Sequence, residues 1–390
     1  MASTSETYKV EAECLCKAHK FSTEVPVTKL PLLATACHCN SCRHLTGALY
    51  SIGTTWPGSR QNVDTSKLKS YAISDNLSLL FCETCSAPLF YTFAKAPEHL
   101  GVVAGVLKNH DIDLVKIDKH VFVGDTIDGG ATMWLRKPNS DESEARRFKE
   151  GSSGEQVPDD WPPTSSLTGY EKKTEDPSIP VSCHCKGVNF HLHREDYEGK
   201  TEQLPWFIDP KTHKSIASFD ACDSCRLQSG VDIFHWTFSN IASISFDSSA
   251  QDKDGTKVSF NKTTELRAAV DAGDAVIGTL AYYQSSPDVQ RYFCKVCSAT
   301  VFYACDDRPD CVDVAIGLLN APDGARAEGF LSWILGGKIS WVEDTDGGWR
   351  EGLFKRAHKE AEEWRIQRGY PKDFRRVETE EKEKKESAQV

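Results

Sequence analysis

The feature that most constrains the fold is a pattern of cysteine pairs that occurs twice along the 390-residue chain. Each copy contains a C-x-C pair, then a C-x-x-C pair, then a second C-x-x-C pair. The pairs are Cys14 and Cys16, Cys39 and Cys42, and Cys82 and Cys85 in the first copy, and Cys183 and Cys185, Cys222 and Cys225, and Cys294 and Cys297 in the second. A pattern repeated in the same order predicts a tandem duplication.

The residues around these pairs also match. Phe81–Tyr91 resembles Phe293–Tyr303, and the match continues from Val102–Leu107 to Val314–Leu319, and from Asp125–Gly130 to Asp344–Gly348. We therefore expect two domains, at residues 8–136 and 180–353, joined by a linker at 137–179 and followed by a tail at 354–390. A length of 390 residues is also too great for one ordinary core.

The linker is rich in Pro, Ser, Gly and acidic residues, and we expect a short helix around Glu142 to Glu150 within it. In the tail, Phe354 to Arg368 has a helix-forming composition, and the mixed charge run from Glu378 to Val390 predicts a solvated segment. Helical periodicity elsewhere is weak except at Thr263 to Ala272.

Short segments rich in β-branched or aromatic residues predict a mainly β protein. Examples are Leu77–Phe81, Leu89–Phe93 and Val121–Val123, each bounded by Gly, Pro, Asp or Asn. We expect each domain to be mostly antiparallel β, with metal in place of part of a hydrophobic core.

Composition restricts the location and the partners. A formal net charge of −11 argues against a constitutive binder of nucleic acid or of an anionic membrane, because an acidic surface repels both. The chain has no apolar segment of signal-peptide or membrane-span length, so a cytoplasmic location is the default expectation. Thiols stay reduced there, and fifteen cysteines in close pairs then predict metal ligands rather than disulfides.

The outer pairs predict structural zinc sites. A C-x-C pair in a strand points both sulfurs to one side, and a C-x-x-C pair in a turn brings two more together. Four thiolates at about 2.3 Å complete a tetrahedral zinc site. The two sites would be formed by Cys14, Cys16, Cys82 and Cys85, and by Cys183, Cys185, Cys294 and Cys297. The alternative is a set of reduced cysteines in the core.

The segment around Cys37 predicts a different kind of site. Cys37, Cys39 and Cys42 supply three ligands, and no fourth cysteine remains in that part of the chain. A zinc ion with three protein ligands and one open position is the catalytic arrangement. A soft thiolate site suits a substrate thiol as the fourth ligand. Alternatively, His38 or His44 closes the site and makes it structural.

The second copy departs from this pattern at one position. Asp220 stands where the alignment places Cys37, so Asp220, Cys222 and Cys225 could hold an ion with a harder and weaker ligand set. Either this is a degenerate structural site or its chemistry has changed.

Arginines and two further cysteines complete the set of candidates. Arg43 and Arg226 follow the last ligand in each copy and could contact an anionic substrate, or could be solvated on the surface. Cys305 and Cys311 have no counterparts in the first copy, and we expect them not to be ligands.

With these motifs placed, the chain resembles the glutathione-dependent formaldehyde-activating enzyme family, which also includes centromere protein V. The similarity covers residues 8–135 and again 180–353. It consists of C-x-C, then C-H-C-x-x-C-R, then F-C-x-x-C-S-A-x-x-F-Y, then an aspartate-rich end.

The resemblance implies two tandem β-tent type domains with structural and catalytic zinc, three to four ions per chain. The family's structural ligands fall on Cys14, Cys16, Cys82 and Cys85, and its catalytic ligands on Cys37, Cys39 and Cys42. It implies a carbon–sulfur lyase that adds glutathione to formaldehyde or acts on a related thiol adduct. The alternatives are a non-enzymatic zinc scaffold, a glutathione carrier, and an isomerase or dehydratase on the same fold.

Overall fold

The computed structural model describes residues 6–199, 204–247 and 257–387. The last three residues of the predicted solvated run, 388–390, lie outside the described residues. We call residues 6–177 the first half and residues 178–387 the second half. None of the described helices is long and apolar enough to cross a membrane.

The first half consists of a two-stranded hairpin and an eight-stranded sheet. Its elements are β1 (Thr7–Glu13), β2 (Lys20–Pro26), β3 (Leu32–Cys37), α1 (Asn40–Thr46), β4 (Ser51–Thr55), β5 (Lys69–Ala72), β6 (Leu77–Phe81), β7 (Pro88–Phe93), β8 (Leu100–Val103), β9 (Val115–Val121) and β10 (Arg146–Arg147). The sheet order is β10-β9-β3-β4-β8-β7-β6-β5, and neighbours are antiparallel except β10 with β9 and β9 with β3.

The second half contains a four-stranded and a seven-stranded sheet among its described residues. Its elements are β11 (Ser178–Ser182), β12 (Asn189–His193), β13 (Ser215–Asp220), α2 (Asp223–Ser229), β14 (Phe234–Asn240), β15 (Ile244–Asp247), β16 (Lys257–Val258), α3 (Thr263–Ala272), β17 (Leu280–Ser286), β18 (Val289–Cys294), β19 (Thr300–Cys305), β20 (Cys311–Ala315), β21 (Leu331–Trp333), α4 (Trp349–Gln367) and α5 (Phe374–Ser387). The sheet orders are β11-β12-β15-β16 and β17-β18-β19-β20-β14-β13-β21.

Seven strands of each half follow the same spatial order. The order β9-β3-β4-β8-β7-β6-β5 in the first half corresponds to β21-β13-β14-β20-β19-β18-β17 in the second. The register also agrees, because Leu79 lies opposite Tyr91 on β6 and β7, and Arg291 lies opposite Tyr303 on β18 and β19. This correspondence is what a tandem duplication predicts.

The prediction of a mainly β protein is confirmed, and β6 and α3 have the predicted bounds, but α4, with 19 residues, is longer than the short helices expected. The predicted strand at Val121–Val123 is reduced to the end of β9 at Val121. The predicted helix at Glu142 to Glu150 is wrong. That segment contains the short strand β10, and Arg146 on it pairs with Asp118 of β9 at 2.7 Å.

The helix predicted at Phe354 to Arg368 is present, but it starts five residues earlier and is buried more than a tail would be. Helix α4 begins before Phe354 and buries Leu353, Phe354, Ala357 and Trp364, so it is a core element. The indole of Trp364 lies 6.3 Å from that of Trp134 in the first half. The charge run lies within α5 as far as it is described, and most of its described side chains are exposed, as the prediction of a solvated segment requires.

The two halves share one continuous hydrophobic core, and their backbones meet at two equivalent points. The Gly105 amide donates to the Gly230 carbonyl at 3.0 Å, and the Gly317 amide donates to the Gly47 carbonyl at 2.8 Å. A Cβ atom on Gly105 would lie 2.3 Å from a backbone atom of Gly230, and one on Gly317 would lie 2.0 Å from Ala48. Glycine is required there because no side chain fits between the backbones.

Candidate metal centres

The structure brings together the sulfurs of both predicted four-cysteine sets. In the first half, Cys14 and Cys16 follow β1, and Cys82 and Cys85 lie in the turn between β6 and β7. The Cys16 sulfur lies 3.6 Å from those of Cys14 and Cys82. A tetrahedron of thiolates about 2.3 Å from zinc has sulfurs about 3.8 Å apart, so this set fits the ion.

The second set has the same geometry. Its Cys185 sulfur lies 3.5 Å from that of Cys183 and 3.4 Å from that of Cys294. A tyrosine of the first half covers this cluster, because the Tyr71 hydroxyl lies 2.7 Å from Nδ1 of His184. Burial and the neighbouring thiols, Cys297 first among them, raise the pKa of Tyr71 to about 12.

The third group is the Cys37, Cys39 and Cys42 triplet, whose sulfurs lie within 4.8 Å of one another. Cys37 ends β3, Cys39 is the N-cap of α1, and Cys42 lies in the first turn of that helix. The Cys42 amide donates to the Cys39 sulfur at 3.4 Å, so this C-x-x-C segment forms the start of a helix. This bond satisfies one of the free amides at the helix N-terminus.

The triplet is more open than the four-cysteine sets and is a group of three. All three thiols are half-buried, and within the described chain no histidine, carboxylate or fourth cysteine joins the group. Hydrogen bonds from Cys37 and Cys42 lower the pKa of Cys39 to about 3, and the bonds with Cys39 and Cys42 raise the pKa of Cys37. The donor set fits a zinc ion that keeps one position free.

The two histidines that could have closed the triplet contact other groups. Nε2 of the buried His38 lies 2.9 Å from Nδ1 of His120, and the pKa of His38 is lowered chiefly by burial and by His120. Nδ1 of His44 lies 2.6 Å from the Ser182 carbonyl oxygen in the second half.

Both arginines that follow the C-x-x-C pairs are buried rather than solvated. Arg43 is 5 % exposed and donates through Nη2 to Asn40 at 2.6 Å, while its Nε and Nη1 have no hydrogen-bond partner. Arg226 pairs with Asp223 at 2.6 Å and donates to backbone carbonyls of the first half.

The sequence analysis did not single out two side chains beside the triplet, Asp125 and Tyr91. The exposed Asp125 carboxylate accepts from the Asn40 amide at 3.2 Å, and Asp344 does the same for the Asp223 amide at 2.9 Å in the second half. Burial, with a smaller contribution from Cys42, raises the pKa of Tyr91. Both were visible as matched positions of the repeat.

The cluster of the second half combines Asp220, Cys222 and Cys225, whose ligand atoms also lie within 4.8 Å of one another. Oδ1 of Asp220 accepts from the Cys222 amide at 2.9 Å, and burial, then the Cys222 charge, raise the pKa of Asp220 to about 8. An arginine that the sequence analysis did not single out enters this cluster. Arg291 donates through Nη1 to the Cys225 sulfur at 3.3 Å.

This cluster lies at a cavity of about 950 Å³ that extends to α5. Aromatic and basic side chains form much of its wall: Trp206, Trp236, Tyr303, Trp341, Arg308, Arg375 and Arg376. Cys305 lies in this wall and Cys311 is buried outside it. Neither cysteine belongs to a cluster of possible metal ligands among the described residues.

Comparison with known families matches residues 9–125 to the family described as glutathione-dependent formaldehyde-activating enzyme. The matched segment contains the triplet and the first four-cysteine set, and it is less than half of the chain. No curated protein and no solved structure matches the chain. The match therefore supports this family for the first half, at the residues that form the triplet.

Proposed function

We propose that this protein is a zinc enzyme that makes or breaks a carbon–sulfur bond between glutathione, or a related thiol, and a small aldehyde. The reacting site would be the triplet of Cys37, Cys39 and Cys42. The observation that carries the proposal is the contrast between two complete four-thiol sets and one half-buried set of three. The family match to residues 9–125 supports glutathione as the thiol and formaldehyde as the aldehyde.

In the forward reaction the thiol loses its proton, its sulfur forms a bond to the carbonyl carbon, and the carbonyl oxygen takes up a proton. Bound zinc would supply the charge that keeps a thiol deprotonated at neutral pH. The three cysteines would hold the ion and orient the thiol against the aldehyde, since positioning supplies much of such an acceleration.

Two further side chains have proposed roles at this site. Asp125 is the exposed carboxylate at the start of α1, and we propose it as the group that exchanges the proton with the reactants. Arg43 would supply positive charge to the site without touching the substrate, because its side chain is only 5 % exposed and interacts electrostatically with Cys39.

We also propose that residues 8–136 and 180–353 are diverged copies of one domain and that the protein acts in the cytoplasm. The matching strand order of the two halves supports the first of these proposals. The second is consistent with fifteen cysteines that form no disulfide among the described residues.

The Cys37→Ala variant tests the reacting site. Zinc content and glutathione-dependent consumption of formaldehyde would be measured on the full chain, with Cys311→Ala as the matched control because Cys311 is a buried cysteine outside every cluster. We expect Cys37→Ala to lose one zinc ion and the activity while keeping its circular dichroism spectrum. Full zinc content together with unchanged activity would refute the proposal.

Binding of the thiol can be tested separately by thermal unfolding. A ligand that binds only the native protein raises its melting temperature. We expect glutathione to raise it more than S-methylglutathione, which keeps both carboxylates but has no free thiol. Equal shifts would contradict a thiol bound at the triplet.

A further inference from the structure

We infer that the Asp220, Cys222 and Cys225 cluster holds no zinc ion. The guanidinium of Arg291 lies beside the two sulfurs and already supplies the positive charge that an ion would supply there. The inference goes beyond the proposed function, which concerns the first half, and it uses the triplet there only as a reference. Three observations carry it: the register of the two halves, the contacts of Arg291, and the replacement of a thiol by Asp220.

The register identifies Leu79 as the counterpart of Arg291. Leu79 pairs with Tyr91 and with Tyr71, and Arg291 pairs with Tyr303 and with Tyr283, at the same place in each sheet. Leu79 is buried and apolar, so it leaves the triplet of the first half without a nearby cation from this position. The second half thus has a buried cation beside its cluster at a position where the first half has a leucine.

The contacts of Arg291 point its charge at both sulfurs. Nη1 lies 3.3 Å from the Cys225 sulfur and Nη2 lies 3.9 Å from the Cys222 sulfur, so the two ends of the guanidinium face the two thiols. The side chain is held there, because Nε donates to Ser285 at 3.0 Å and the guanidinium stacks on the Tyr303 ring at 5.1 Å. Arg291 is 6 % exposed, so little water screens its charge.

A zinc ion does not fit this arrangement. An ion about 2.3 Å from both sulfurs would lie within a few ångströms of a guanidinium that is always charged. The repulsion would act in a buried site, where little water screens it. The third donor also differs from the Cys37 thiolate, because Asp220 offers a carboxylate oxygen, a harder ligand than the two thiols beside it.

The cavity would therefore be lined at this cluster by protein side chains alone, with no metal ion. A ligand that enters the 950 Å³ cavity would meet a guanidinium and two thiols, next to the aromatic side chains of Trp206 and Trp341. The two halves would then differ in kind: one holds a metal centre, and the other holds a metal-independent ligand site.

Metal analysis of the full chain, purified with zinc present, tests the inference. We expect three zinc ions in the unmodified protein and four in the Asp220→Cys/Arg291→Leu variant, which restores the side chains of the first half. The reciprocal change, Leu79→Arg, places a guanidinium beside the triplet and should remove one ion. Four ions in the unmodified protein, with one lost in Cys222→Ala, would overturn the inference.

A second readout does not depend on a gain of metal. With no ion at the cluster, native protein should be alkylated at Cys222 by a maleimide without prior chelation, whereas the triplet reacts only after chelation. Protection of Cys222 that a chelator removes would also overturn the inference. Failure of the proposed function looks different, because Cys37→Ala would then keep the glutathione-dependent activity while Cys222 still reacts without prior chelation.

Discussion

A buried network of charged side chains around Glu328 joins the end of α4 to both halves, and it offers a test of how the fold is stabilised. Glu328 is 4 % exposed and accepts from Arg326 at 3.0 Å, from Arg368 at 3.2 Å and from the Tyr370 hydroxyl at 3.0 Å. Arg326 in turn donates to the Gly130 carbonyl of the first half at 3.0 Å. Glu328→Gln would remove the anion between two buried guanidinium groups, leaving Arg326 with Asp128 at 3.7 Å as its remaining carboxylate.

The size of the effect follows from the pKa of Glu328. Burial would raise this pKa from 4.5, but the charges and hydrogen bonds of Arg326 and Arg368 lower it to about 2. At 1.36 kcal/mol per pKa unit, the ionised carboxylate stabilises the native state by about 3 kcal/mol. Removal of one partner from a buried ion pair costs about 3–5 kcal/mol, which agrees.

The sign of the pH dependence is fixed by the direction of the shift. Because the native pKa lies below the unfolded one, the stabilisation is complete above about pH 4.5 and is lost as the pH falls towards 2. Burial raises the pKa of Asp128 and gives a contribution of opposite sign. Asp128 is coupled to Glu328, whose charge also raises its pKa, so Glu328→Gln should lower the pKa of Asp128 as well.

The assay is equilibrium unfolding in urea at several pH values, for the unmodified protein, Glu328→Gln and the control Glu363→Gln. Glu363 is exposed and lies 4.0 Å from Lys359, so its replacement should change the free energy of unfolding by less than about 0.5 kcal/mol. We expect a loss of about 3 kcal/mol for Glu328→Gln at pH 7 that shrinks below pH 4.5. A loss that does not depend on pH, or one as small as the control's, would refute the reasoning.

Two further predictions concern packing and metal. Gly105→Ala should destabilise the protein by about 1–3 kcal/mol, because its Cβ would meet the Gly230 backbone at 2.3 Å. The control is Gly151→Ala, whose Cβ has no neighbour closer than 3.9 Å. It should change the free energy of unfolding by less than about 0.5 kcal/mol in the same urea titration. Equal effects of the two would contradict the close approach of the halves. Cys82→Ala should prevent folding or lower the melting temperature far more than Cys311→Ala does, because a structural zinc ion contributes on the order of 10 kcal/mol to the free energy of folding. Similar melting curves for the two variants would argue against a metal ion at the first four-cysteine set.

The sequence predicted those features that depend on local spacing. The repeat grouped the cysteines as the structure does, and the bounds of α3 follow from its periodicity. The α1 and α2 helices were not predicted because each has only seven residues, too few to show a helical pattern in the sequence. The C-x-x-C segment that begins α1, where the Cys42 amide donates to the Cys39 sulfur, also cannot be told from a turn by sequence alone.

The missed features depend on contacts between distant parts of the chain. The approach of Gly105 to Gly230 and the burial of Trp364 against Trp134 have no local signal, since each needs the other half in place. Arg291 is an intermediate case. The repeat aligns it with Leu79, but only the register of the sheet shows that this exchange adds a cation beside Cys225.

The most direct test of the central claim is a crystal structure of the zinc-loaded protein with glutathione. The account predicts a zinc ion held by Cys37, Cys39 and Cys42, with the glutathione sulfur as the fourth ligand. A fourth ligand from the protein itself, such as His38 or His44, with glutathione absent from the metal, would contradict it.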